Sequence, residues 1–155
     1  MSKKLILISI STILFLLCGC GNNTALTKFK SEIDVFCTNV STLDNSMNKV
    51  DASTNNAKNE LLAYLDQLDT QFIQFSELDF PKEFDYLEHL ADEASQYMTE
   101  AVIYYHKAFE AKNGYDESFV EYAFENYSRA LKRVQIIITF LHGEKPENVN
   151  LEIEY

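Results

Sequence analysis

From Leu26 the apolar residues fall at Leu26, Phe29, Ile33, Phe36, Val40, Leu43, Met47 and Val50, in alternating steps of three and four. Such a stripe predicts a helix packed along its whole length against other helices, in the manner of a coiled-coil seam. Residues 51–56, Asp-Ala-Ser-Thr-Asn-Asn, interrupt it with poor helix formers that favour caps and turns. A second helix then carries Leu61, Leu65, Leu68, Phe72 and Phe75, broadened by Leu62, Tyr64 and Ile73. An unbroken helix from Ala25 to Phe75 would run about 75 Å, far longer than the helices that follow, which favours the break.

Residues 76–80 form a connection, and Pro81 suits the first turn of a third helix, with Glu83 placed for the helix dipole. Phe84, Leu87, Ala91, Ala94, Met98, Ala101, Tyr105 and Ala108 carry that helix to about Lys112. Its alanines imply a close neighbour. Asn113-Gly114 supplies a stop and turn, and Asp116 with Glu117 opens a fourth helix with the stripe Val120, Phe124, Tyr127, Leu131, Val134, Ile138 and Leu141. Ala123, Ala130 and Ile137 lie beside this stripe, Arg129, Lys132, Arg133 and His142 sit toward its C-terminal half, and Gly143 ends it. Short connections make successive helices antiparallel, so the expected fold is all-α: an up-down four-helix bundle over residues 25–143, with an extended tail over 144–155.

The first residues follow a different rule. Lys3-Lys4 precedes the apolar run Leu5 to Leu17, which is shorter than the about 20 residues needed to span a bilayer and reads as the core of an export signal. Leu17-Cys18-Gly19-Cys20 follows and resembles the bacterial lipobox, with an aliphatic residue three before a cysteine and a small residue directly before it. That resemblance implies a removable signal over residues 1–19, with Leu17 and Gly19 read by the processing machinery. It further implies diacylglycerol, and so acyl chains such as palmitate, attached through the thiol of Cys20. Residues 20–24 would then be a lipidated cysteine and a short spacer, whose four residues after Cys20 reach about 14 Å when extended. The expected location is the outer face of the cell membrane, and the expected partners are that membrane, through the lipid, and a protein of the envelope.

Charge removes other classes. Without Lys3 and Lys4 the chain carries 11 basic against 24 acidic side chains, a net charge of −13. Nucleic acid and anionic headgroups both call for a basic surface, so neither is an expected partner. Cys18 leaves with the signal and Cys20 is alkylated, which leaves Cys37 alone and no disulfide to form.

Candidate chemistry is sparse. No Glu-x-x-His pair of a di-iron bundle occurs. His89 has Asp85 and Glu93 four residues to either side and Asp92 three after it, a spacing compatible with metal ligation but more often a solvated charged face. His106 after Tyr104-Tyr105 has no recognisable nucleophile beside it, and Cys37 next to Phe36 reads as a small core residue. The few glycines form no phosphate-binding fingerprint, so no cofactor is expected beyond the lipid. Nine Tyr and eleven Phe are unusual, and Tyr64, Tyr86, Tyr97, Tyr104, Tyr115 and Tyr122 fall beside or off the main stripes, where rings can form a contact surface or simply edge the core.

The body also resembles small all-helical lipoproteins of unknown function from low-GC Gram-positive bacteria, through Phe80-Pro81-Lys82-Glu83-Phe84 opening the first of two long helices. The leading expectation is a noncatalytic interaction or scaffold protein of the envelope. The alternatives are a helical bundle that binds a metal or a small ligand and, further off, an envelope hydrolase.

Overall fold

The computed structural model describes residues 24–111 and 115–144. Four helices make up the body: α1 Thr24–Met47, α2 Ala57–Ser76, α3 Glu88–Glu110 and α4 Glu117–Leu141. The proposed signal, Leu17, Gly19, Cys20, the Asn113-Gly114 turn and the tail beyond Glu144 lie outside the described residues.

Contacts between successive helices fix their directions. Phe36 of α1 packs on Phe72 and Phe75 of α2, with centroids 5.2 and 4.3 Å apart, and Asn39 donates to Gln71 at 2.8 Å. Thr99 of α3 donates to Asp69 of α2 at 2.6 Å, and His106 lies 2.7 Å from Asp66. Glu93 and Tyr104 of α3 meet Arg133 and Tyr122 of α4. In each pair the residue number rises along one helix as it falls along the other, so each neighbour runs antiparallel to the last. The described residues are thus all-helical, with four helices whose packing is compatible with the bundle that the periodicity predicts.

Local chemistry explains the breaks. After α1 the carboxylate of Asp51 accepts from the backbone and hydroxyl of Ser53, and Thr54 donates its N–H to the Asp51 carbonyl. This polar turn satisfies the backbone without continuing the helix. At the start of α4 the Asp116 side chain caps the amide of Ser118. Gly143, at φ 74°, takes the left-handed conformation that closes α4.

The core runs along all four helices, with Phe29, Phe72, Phe75, Leu68, Leu87, Met98 and Ile137 its largest fully enclosed side chains. At about 1.5–3 kcal/mol for each large side chain removed from water, this apolar seam is the principal stabilising term.

Several expectations need correction. Pro81 does not open α3: Phe84 donates to the Pro81 carbonyl and Leu87 to that of Phe84, which makes two tight turns ending in a 3-10 segment, Asp85–Leu87. The chain turns here while burying Pro81 and packing Phe80 on Phe29, at 4.6 Å between centroids, and one continuous helix would not do both. At its other end α3 stops at Glu110, short of Lys112, because Ala111 is extended.

In α1 the heptad reading places Leu43 inward. Asp44 is the buried residue instead and Leu43 is half-buried, because an α-helix advances by 3.6 residues per turn and drifts off a 3.5-residue stripe. A similar rotation occurs in α2, where Leu62 is buried and Leu61 half-buried.

In α4 the buried face is Ala123, Asn126, Ala130, Val134, Ile137 and Leu141, together with Ile136, while Phe124 is 44% exposed. Ala91, Ala94, Ala101 and Ala108 of α3 are likewise enclosed. With small residues on both sides the two backbones come close, and the larger rings are displaced to the flanks.

Candidate interaction surface

That displacement builds the most distinctive surface feature. Along the outer edge of the α3–α4 contact, α3 contributes Glu93, Tyr97, Glu100, Tyr104 and Lys107, and α4 contributes Phe119, Tyr122, Arg129, Arg133 and Phe140. Both series advance by three and four or by their sum, so they form a second stripe beside the core stripe. Tyr86, just before α3, meets Phe140 edge to face at 5.9 Å.

The side chains interlock. Tyr104 stacks on Tyr122 with centroids 5.6 Å apart, and Phe119 lies 6.1 Å from Tyr104. The Lys107 ammonium sits 4.5 Å from the centre of the Tyr104 ring. The guanidinium groups of Arg129 and Arg133 lie 5.7 and 5.5 Å from that of Tyr97. Arg133 also donates to Glu93 at 2.5 Å. Each cation thus lies on the negative face of a ring while its charged end stays near water. Tyr86 is 52% and Tyr122 57% exposed, so the edge presents apolar ring area that is left open among the described residues. Arginine and tyrosine are the residue types that dominate protein contacts when they become desolvated.

The other tyrosines divide. Tyr64 and Tyr97 pack against the core, while Tyr115 is exposed and meets Phe109 at 5.3 Å.

A second feature lies between α1 and α2, a shallow groove of about 210 Å³ floored by Phe36 and Phe75 and rimmed by Asn39, Gln71 and Gln74. Val35, which also lines the groove, is exposed.

The candidate chemical groups do not assemble. His89 is exposed, and its neighbour Glu93 is engaged by Arg133. Among the described residues no three His, Cys, Asp or Glu side chains converge as a metal site. His106 bridges α2 and α3, with Nε2 at Asp66 and Nδ1 3.5 Å from Glu110. Partial burial pulls its pKa down, but the two carboxylates outweigh this and hold it above the ordinary histidine value. Cys37 is half-buried, and desolvation together with the Asp34 charge pushes its thiol up to about 11, far from a nucleophilic thiolate.

Two buried polar residues escape a reading by periodicity. Asn126 donates to the Tyr122 carbonyl at 3.2 Å. Asp44 is 7% exposed; Asn48 contacts one of its oxygens at 3.4 Å and the other has no partner among the described residues. Burial raises its pKa. Burial and the nearby Asp44 charge also raise that of Tyr127. The only sequence signal for Asp44 is its place one residue after Leu43 in the last full turns of α1.

No helix among the described residues is long and apolar enough to cross a membrane. No protein-family model, curated protein or solved structure matches the chain.

Proposed function

We propose that the protein is a lipoprotein tethered to the outer face of the cell membrane through Cys20, and that its bundle is a noncatalytic interaction module. The tether rests on Leu17-Cys18-Gly19-Cys20 after a short apolar run. Two acyl chains give stable anchoring where one is marginal, and a net charge of −13 leaves lipid as the means of attachment. In this reading α1 leads away from the bilayer, the α1–α2 and α3–α4 connections lie at the far end, and the Pro81 turn faces back toward the lipid.

The interaction role rests on one observation: the exposed aromatic and cationic edge of α3 and α4, held rigid by ring stacking and the Glu93–Arg133 pair. Preorganised rings bind at low entropic cost.

Two arms test the proposal. Membrane fractionation of Cys20→Ser should move the protein out of the pellet, and retention there with the signal still cleaved would refute the tether. Capture from native membranes by the wild-type protein and by Tyr104→Ala/Tyr122→Ala should differ. Identical captured material would refute the role of the edge.

A further inference from the structure

We infer that the α3–α4 edge docks on the same edge of a second copy of this chain, forming a parallel two-fold dimer. This rests on the reading of that edge as an interaction surface and names its partner. Three features of the edge carry it.

The first is its charge. The processed chain is strongly acidic, at −13, so two copies repel each other over most of their surface. The edge is different: Glu93 and Glu100 stand against Lys107, Arg129 and Arg133. Along this stripe the two signs nearly balance, so two copies approach through it without a large like-charge penalty. A polyanionic ligand would meet the two glutamates, which makes it the poorer fit.

The second is how the charges divide. Both acids of the edge lie on α3 and both arginines on α4. Glu93 is used within the chain by Arg133, whereas Glu100 is exposed and makes no ion pair among the described residues. Arg129 is exposed and touches only Tyr97 in this way. Lys107 shares α3 with the acids, but it lies about two turns beyond Glu100, and the stretch from Glu93 to Glu100 on α3 and from Arg129 to Arg133 on α4 is self-complementary when a two-fold axis exchanges the two helices.

The third is direction. Two copies can face each other through this edge about an axis parallel or perpendicular to the helices. A perpendicular axis sets α3 on α3, acid against acid, and points the two N-termini in opposite directions. A parallel axis sets α3 of each copy on α4 of its partner and keeps both N-termini at one end, as two tethers in one bilayer require. Because Glu93 lies level with Arg133 and Tyr104 with Tyr122, the parallel arrangement brings Glu100 of each copy beside Arg129 of the other. It also joins the two Tyr104–Tyr122 stacks into a four-ring cluster.

The size fits a modest affinity. An edge about 30 Å long and two helices wide covers about 600 Å² per copy, at the lower bound of stable interfaces. Tethering in one membrane raises the effective concentration and favours pairing there.

Sedimentation equilibrium near physiological salt tests this, using the chain from Gly21, which retains every described contact. Wild type is expected to dimerise with a dissociation constant in the micromolar range. Glu100→Arg and Arg129→Glu should each weaken it at least about tenfold, since each puts like charges at two equivalent sites. The double reversal should restore it to within about threefold, and unchanged melting of the singles separates lost pairing from lost folding. A wild type that stays monomeric at about 200 μM, or singles that pair as well as wild type, would overturn the inference. A monomer whose membrane capture still depends on Tyr104 and Tyr122 overturns only the identity of the partner. A monomer without that dependence overturns the reading of the edge as well.

Discussion

Arg133 of α4 donates its Nε–H to Glu93 of α3 while the same guanidinium lies 5.5 Å from the centre of the Tyr97 ring. Both charged side chains are about a quarter to a third exposed, at 26% and 32%. Water therefore screens the pair only in part, and its geometry is fixed by the ring beneath. A double-mutant cycle with Glu93→Gln and Arg133→Met, followed by denaturant unfolding, should give a coupling of about 1 kcal/mol, the upper end for exposed pairs. A coupling near zero would mean that the pair does not hold the edge in place.

Close approach of α3 and α4 depends on alanine. Ala101 is fully enclosed, so Ala101→Leu has no space to enter and should cost about 1–3 kcal/mol. The same change at the exposed Ala63 of α2 should alter stability by less than about 0.5 kcal/mol. Thermal melting of the two variants makes the comparison.

Asp44 opposes folding. One buried oxygen is unpartnered, and the residue lies in the last turns of α1, at the negative end of the helix dipole. Asp44→Leu should stabilise the protein by about 1–3 kcal/mol near neutral pH. The sign of the pH dependence follows from the raised folded-state pKa. The folded protein holds the Asp44 proton more tightly than the unfolded chain, so its stability is greatest below the unfolded value of about 4 and falls as pH rises through the folded value. In Asp44→Leu this fall should be absent from the stability curve.

His106 gives a second pH signature of the same sign. Its pKa is raised in the fold by Asp66 and Glu110 against the pull of partial burial. The bridge to α2 is therefore fully stabilising below the unfolded value of about 6.5, and its contribution is lost as pH rises through the higher folded value. Because both carboxylates are more than half exposed, at 57% and 59%, the effect should stay below about 1 kcal/mol. Denaturant titrations from pH 5 to 9 should show a slope that His106→Gln lacks.

Apolar periodicity carries most of this fold. Most of the stripes of α1 and α3 is readable from the spacing of apolar residues, and the polar break at residues 51–56, the Asp116 cap and the Gly143 stop are readable because each rests on local chemistry. The buried face of α4 is not readable in the same way. Apolar residues surround that helix, and Ala123 and Ala130, not Phe124, face inward because of packing against α3. Asp44 is hidden for the complementary reason, since a carboxylate reads as solvent-facing until the phase of α1 is known. The aromatic edge was partly legible: Tyr86, Tyr97, Tyr104 and Tyr122 stand off the core stripes in the sequence, but their alignment with Arg129 and Arg133 depends on the register between two helices.

Mass spectrometry of the N-terminal peptide from the membrane-extracted protein decides whether Cys20 holds the bundle at the membrane. The expected chain begins at Cys20 and carries the mass of a diacylglyceryl thioether. A chain that still begins at Met1, or one cleaved elsewhere with an unmodified Cys20, would contradict that anchor.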